Sequence, residues 1–439
     1  MRFEKLAAVG LAGALFLTAA CGSDDDDEAT DDNGGNESSG QESGGFTAPD
    51  SEIEATLRVW LNGPDTPQTM RDYAIETFKE QYPNVSVEIE EQEWDGIVPV
   101  LTNALAADDS PDIVEMGNTQ AQGFEAAGAL VDLTPAEDDL GGDDLLDSLK
   151  EAGTYDGKLF ALPLYAGARV VTYRTDLFEA AGIEVPTTMQ EFVDAGTALQ
   201  EANASTANFS GIYFPGRNWQ AMLSFIWDAG GDIATQDGGE WTGTLADEGA
   251  VEGLTQVQDI MTNANQAPAD SDDRNDYIEF CAGEIGMLMG PGWKGGQIEE
   301  ECPEMVGKLG VFPLPGAEEA VAPSFLGGSV LGVSAKSENP DLAVEFLELI
   351  SSEGFQAQYA EAGLIPNQKA FLELVTGSPA AEAQAAAAAN SRFTPSSEYW
   401  AEVEGADILQ DMGTAIANGD DVEEAAQTAN DAIVEILNQ

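Results

Sequence analysis

The stretch from residue 56 to residue 116 constrains the fold most, because strand and helix periodicities alternate along it. Residues 56–61 read as a strand, and residues 69–81 carry Met70, Tyr73, Ala74 and Phe78 at helical spacing before Pro83 stops the helix. Val85, Val87 and Ile89 then alternate as a second strand, residues 97–107 predict a helix, and residues 112–116 a third strand. Strands separated by helices pair in parallel, with helices covering both faces of the sheet. In such sheets ligands bind in the crevice beyond the strand ends. That rule singles out Asn62 and Gly63 after the first strand, Trp94 after the second, and Gly117, Asn118 and Thr119 after the third.

Further along, a strand at 170–173, a helix at 189–201 and a tryptophan-rich helix at 219–227 predict a second α/β unit. Residues 380–389 form an alanine-rich helix and residues 422–437 a final one. About 385 residues follow Ala55, the usual size of two domains or lobes. No short-period repeat interrupts them.

The first 54 residues are of another kind. Arg2 and Lys5 precede an apolar run over 6–20 that ends at Cys21. This is the pattern of a signal peptide over 1–20, and the run is shorter than the roughly 20 apolar residues a membrane-spanning helix needs. Leu17, Thr18, Ala19, Ala20 and Cys21 resemble the bacterial lipobox, although Thr18 stands where most lipoboxes carry Leu. The resemblance implies lipidation at Cys21 and a chain anchored on the outer face of the cell membrane, a simply secreted form being the other reading. Residues 21–54 are rich in Gly, Ser and Asp, with Phe46 the only aromatic, and predict a solvated tether.

The chain holds 16 Lys and Arg against 81 Asp and Glu, a formal net charge of -65. Without Arg2, Lys5 and Glu4 the mature chain keeps 14 bases against 80 acids. A field of that sign repels nucleic acid and anionic lipid surfaces, so both are excluded as partners for basic patches. The scarcity of Lys fits a halophilic setting in which salt screens the self-repulsion. An acidic extracellular protein without special salt needs fits the same composition. Histidine is absent, which removes Ser-His-Asp and Cys-His nucleophiles and every His-based metal site. No metal or other cofactor is expected.

With Cys21 assigned to lipid, Cys281 and Cys302 remain. Outside the cell, two remaining cysteines favour a disulfide, with a pair of buried free thiols as the other reading.

A set of ordered segments carries a specific resemblance. They are Val59 to Gly63 (VWLNG), Pro111 to Met116 (PDIVEM), Phe124 to Leu133 (FEAAGALVDL), Tyr155 to Pro163 (YDGKLFALP) and Val171 to Leu177 (VTYRTDL). Phe280 to Met287 (FCAGEIGM), Gly290 to Trp293 (GPGW) and Ala343 to Leu347 (AVEFL) complete it. In this order they resemble the extracellular solute-binding proteins of ABC importers, within the carbohydrate-binding group that includes the maltose-binding protein. The resemblance implies a periplasmic-binding-protein-like fold: two α/β lobes with mixed sheets around a hinge, and a ligand cleft between them. The lobes it implies are 55–164 and 323–372 for the first, 165–322 and 373–439 for the second.

The resemblance also implies where a sugar would sit. Sugars offer apolar ring faces and many hydroxyls, so aromatic platforms and a few planar polar groups suit them. Trp293 matches the position whose ring stacks on sugar. Asn62 and Asp65 fall in the first loop, Trp94 at the rim, Asn118 and Thr119 in the third loop, and Tyr165 and Arg169 at the first crossing between lobes. Gly167 stands where the family carries an acidic contact, and Arg169 needs either a salt-bridge partner or a ligand oxygen. Arg217, Asn218 and Trp219 are implied for the second wall, Phe225 and Trp227 fit a helix core, and Trp241 and Trp400 fit core or rim.

The expected function is capture of a mono-, di- or oligosaccharide without chemical change, by a monomer that delivers it to ABC permease subunits through lobe closure. The same fold could instead take a polyamine, with Asp65, Glu91, Glu93 and Asp95 around Trp94, or a peptide. An extracellular glycosidase would need two carboxylates at a defined separation.

Overall fold

The computed structural model describes residues 45–439 apart from 64, 95, 318, 319, 376 and 378, so the signal peptide, Cys21 and most of the tether lie outside the described residues. The first alternation is present as expected: β1 (Ala55–Asn62), α1 (Gln68–Gln81), β2 (Val85–Gln92), α2 (Ile97–Ala106) and β3 (Ile113–Gly117), with β1 parallel to both β2 and β3. On β1, Leu57 and Val59 point inward and are fully buried, while Arg58 and Trp60 on the opposite face are only partly covered. β3 is buried along its whole length because it lies inside the sheet. α3 (Ala121–Ala126) follows it directly.

The chain then forms β4 (Ala161–Arg174), one strand of 14 residues where periodicity predicts only 170–173. Pro163 and Gly167 hide the rest, since both residues read as strand breakers. Pro163 is accommodated opposite Val330, beside the register shift between Ser329 and Val330. After β4 come α4 (Met189–Ala202), β5 (Ser210–Tyr213), α5 (Trp219–Asp228), α6 (Glu248–Asn263), β6 (Ile285–Pro291), α7 (Lys294–Glu301) and β7 (Leu309–Phe312). The Thr188 side chain accepts from the Glu191 amide and Asn218 from that of Ala221, so α4 and α5 begin with satisfied donors. β8 (Ser324–Val333), α8 (Pro340–Ile350), α9 (Glu353–Glu361), α10 (Pro379–Ala388), α11 (Trp400–Gly405), α12 (Ile408–Ala417) and α13 (Val422–Leu437) complete the chain.

The main sheet runs β2-β1-β3-β8-β4-β6-β5. β4 is its pivot. Ala161 to Ala168 pair antiparallel with β8, whereas Arg169 to Tyr173 pair antiparallel with β6, so the strand changes partner between Ala168 and Arg169. Two large cores lie on either side of that change. One gathers Leu57, Val59, Phe78, Leu162, Phe346 and Tyr359; the other Val171, Phe192, Phe225, Leu254 and Ile433. Phe225 and Trp227 are buried in the second core, as their helical spacing predicts, and Trp241 packs partly against it.

One expectation changes. The tether was expected to run to residue 54, but Phe46 and Ile53 pack against the first core, and the Thr47 amide donates to Asp341 Oδ1 at 3.2 Å. Averaging over an acidic, Gly-rich stretch conceals two apolar side chains that are enough to hold its end down. The structure joins Cys281 to Cys302, with Cα atoms 5.7 Å apart.

Candidate functional site

The loop after β1 is shaped before any side chain reaches into it. Gly63 has φ +56°, and a Cβ there would come within 3.1 Å of Trp94 Cδ1, so a left-handed backbone and a close ring both require glycine. Arg71 on α1 binds the loop from beneath, donating from Nε to the Thr66 carbonyl at 2.6 Å and from Nη2 to that of Gly63 at 2.7 Å. Its Nη1 reaches Glu91 at 2.7 Å.

Held this way, Asp65 gathers two of the expected site residues. Its Oδ2 accepts from Trp94 Nε1 at 2.8 Å and from the Tyr165 hydroxyl at 2.9 Å. Tyr165 in turn packs on Tyr359, ring centroids 5.1 Å apart, and the Tyr359 and Thr66 hydroxyls share a hydrogen bond of 2.6 Å. Burial raises the Asp65 pKa above its ordinary value despite the Trp94 and Tyr165 donors and the charges of Lys294 and Arg71.

Asn62 and Asn118 sit deeper than the strand-end rule suggests. Asn62 is 0% exposed and donates from Nδ2 to the Glu115 carbonyl at 3.0 Å. Asn118 is buried and donates to the Leu326 carbonyl at 3.0 Å. Both brace the sheet end, because a buried amide without a partner is costly and backbone carbonyls lie within reach. Between them Glu115 is fully buried, accepting from the Asn62 amide at 2.7 Å and from the Ser329 hydroxyl at 2.5 Å. Burial pushes its carboxyl up to about 8.

At the partner change on β4, Arg169 pairs with Asp273 at 2.7 Å. Lys294 donates to the Asp273 carbonyl at 2.8 Å and pairs with Asp276 at 2.9 Å, both of these side chains being only 1% exposed. Burial acts to raise the Asp273 carboxyl, but Arg169 and Lys294 outweigh it and hold the group below the usual carboxylate range. Lys294 Nζ also lies 5.0 Å from the Trp293 ring centroid, a cation–π distance. Trp293, expected as the stacking platform, is partly exposed and packs against the first core although its neighbours in sequence belong to β6 and α7.

Two residues implied for the second wall are held by other side chains. Trp219 is 6% exposed and packs in the second core, 5.6 Å from the Phe325 ring and 6.5 Å from that of Trp400. Residues 219–227 are buried on nearly every face of α5, which is why helical spacing alone could not separate a wall from a core. Arg217 is taken by Asp407 at 2.9 Å, with Asp411 at 3.9 Å.

Thr119 joins a group that no sequence pattern marks. The Glu404 carboxylate accepts from Trp400 Nε1 at 2.8 Å, from Gln120 Nε2 at 3.1 Å and from the Thr119 hydroxyl. Asp273, Lys294 and Asp276 therefore extend the candidate site, while Glu404 and Trp400 form a separate group around Thr119. Lys294 carried a usable signal, as one of few bases and adjacent to Trp293; single acids among 81 carried none.

Residues 63–357 match the family described as bacterial extracellular solute-binding protein. The chain is similar to the diacetylchitobiose binding protein DasA of Streptomyces coelicolor, 33% identical over 434 residues that cover 97% of each chain. Its fold is that of the GacH receptor of Streptomyces glaucescens, solved unliganded and with acarbose, at a TM-score of 0.78 and 24% identity over 88% of this chain and 100% of that one. Maltose-bound MalE3 of T. maritima matches with a TM-score of 0.75 and 23% identity, covering 87% of this chain and 100% of that one.

Proposed function

Because the chain belongs to the bacterial extracellular solute-binding proteins, we propose that it captures a carbohydrate between its two halves and presents it to the permease of an ABC importer. The first lobe comprises 55–164 and 323–372, the second 165–322 and 373–439, and the partner change at Ala168 and Arg169 is the hinge. Ligand contacts to both lobes shift an open–closed equilibrium, and the closed form is what the permease reads. The solute leaves chemically unchanged.

The observation that carries this reading is the meeting of Trp94 and Tyr165 at the Asp65 carboxylate, which also feels the charge of Lys294, the residue after Trp293. Aromatic faces supply stacking area for sugar rings, and the nearby carboxylates and cations fix hydroxyl orientation. A β-linked N-acetylated disaccharide is the first candidate, given the Streptomyces coelicolor relative. The polyamine alternative loses support at Glu91, whose charge Arg71 already neutralises.

We further assign Cys21 as the lipidated residue that anchors a monomer on the outer face of the membrane. Thermal melting of the mature protein with N,N′-diacetylchitobiose, maltose, trehalose and spermidine, at low and high salt, tests the solute. A melting point that rises with the concentration of one sugar supports the reading, since a ligand that binds only the folded form stabilises it by mass action. A response to spermidine alone would overturn it. Mass spectrometry of the membrane fraction reads the lipid on Cys21.

A further inference from the structure

We propose that Glu404 is a positioning residue that fastens the two halves together across the cleft before any solute binds. Glu404 lies on α11, in the same element as Trp400 and Val403 of the second core. Two of the three donors on its carboxylate, Thr119 and Gln120, come from the other half, in the loop that leads from β3 to α3. The third, Trp400 Nε1, fixes the carboxylate on its own side.

The geometry suits a carboxylate. Trp400 Nε1 and Gln120 Nε2 can only donate, and each meets a different oxygen of Glu404, so both oxygens are used as acceptors. An amide would offer one acceptor to these two N–H donors, leaving its own N–H only the Thr119 hydroxyl as an acceptor. Burial lifts the Glu404 pKa, and the contacts that hold its charge are these donors.

The fastening does not stand alone. Gln122 Nε2 donates to Ser396 Oγ at 2.8 Å, and the Tyr155 hydroxyl donates to Glu398 Oε2 at 3.3 Å. Gly123 on α3 lies so close under the Glu398 carbonyl that a Cβ there would stand 2.9 Å from the oxygen. The segment from Ser396 to Glu404 thus rests along α3 and Tyr155, with Glu404 as the contact that unites three donors.

The inference rests on closure between the halves but not on which solute is bound. A protein partly closed by its own side chains gives up less of its binding energy on ordering the two halves. The test uses the full mature chain without ligand. Small-angle X-ray scattering and hydrogen exchange across 119–126 are compared for wild type, Glu404→Ala, and a Thr119→Ala/Gln120→Ala variant altered only on the opposite half.

Both variants should enlarge the radius of gyration and speed exchange in 119–126. Each should also weaken the active sugar by roughly tenfold, as a competent state thinned to a tenth requires. Combining them should add little beyond either. Unchanged scattering and exchange, with only sugar affinity lost, would make Glu404 a solute contact and overturn the proposal, as would no change at all. If Glu404→Ala fails to fold, the Thr119→Ala/Gln120→Ala variant still decides. If no sugar binds, the ligand-free measurements remain decisive, so failure of the solute reading stays separate from failure of this one.

Discussion

The sheet interior of the first half and the Asp273–Asp276 cluster of the second bury carboxylates in different ways. In the first half Glu115 and Glu125 are buried and pushed up to about 8, so both are largely protonated at neutral pH. In the second half Asp273 and Asp276 meet Arg169 and Lys294 in a compact charged cluster. Arg169 and Lys294 pair with that cluster, whereas the Glu115 carboxyl meets the Asn62 amide and the Ser329 hydroxyl. An acidic protein can hide an acid by neutralising it with a proton more readily than by finding a partner.

The largest effect should come from breaking the second half's pairing. Lys294→Met leaves the Asp276 carboxylate buried beside Asp273, and removing one member of a buried pair typically costs about 3–5 kcal/mol. Denaturant unfolding at pH 7 should show a loss of that order. Lys294→Met/Asp276→Leu, which removes both charges, should recover most of it. A loss below about 0.5 kcal/mol in the single variant would mean that the two halves do not differ in this respect.

Glu115→Gln probes the first half. The folded carboxyl titrates near 8, well above that of a free glutamate. The stability it contributes is therefore complete below the unfolded pKa and declines as pH rises through about 8. Glutamine stays neutral and can still accept from the Asn62 amide. The variant should match wild type near pH 5 and exceed it at pH 9, by an amount on the order of a few kcal/mol. Melting curves at pH 5, 7 and 9 check this, and a constant offset across all three would remove Glu115 from the argument.

Asp65→Asn should have a smaller effect, and one on binding more than on folding. The amide oxygen can take the place of Oδ2 and still accept from Trp94 and the Tyr165 hydroxyl, but without the charge that strengthens both bonds, so the platform is held less firmly. Loss of a charged acceptor at a positioned ring weakens affinity by about 1–2 kcal/mol. Calorimetry with the sugar that stabilises wild type measures it, and tryptophan emission of the ligand-free protein should change with it. Unaltered affinity would separate the Asp65 network from the solute.

How much of this the sequence shows depends on how local each cause is. The alternation from β1 to β3, the helices α4 and α13 and the buried face of α5 follow from side-chain spacing, which is a local property. The length of β4 does not, because Pro163 and Gly167 are tolerated only where β8 shifts its register. Asp65, Trp94 and Tyr165 were each visible as candidates, but their meeting at one oxygen depends on three separate loops and strands. Glu404 was invisible for a simpler reason: one acid among 81 carries no signal until the chain brings donors to it. Trp219 and Trp293 show the limit for aromatics, since helix core and cleft wall draw on the same residues.

The smallest effect concerns the end of the tether, and it sharpens the comparison because it touches only one half. Phe46 and Ile53 pack against the first core, and Glu52 accepts from Asn84 through its carbonyl at 3.3 Å. Phe46 is only partly buried, so Phe46→Ala should cost about 1 kcal/mol rather than the several of a core phenylalanine. Hydrogen exchange should rise in α1 and α8, which line that core, and stay unchanged in α5 and α6 of the second half. Equal protection everywhere would return residues 45–54 to the tether. A rise in both halves would instead mean that the cores unfold together, so that the contrast in how they bury charge would lie within one cooperative unit.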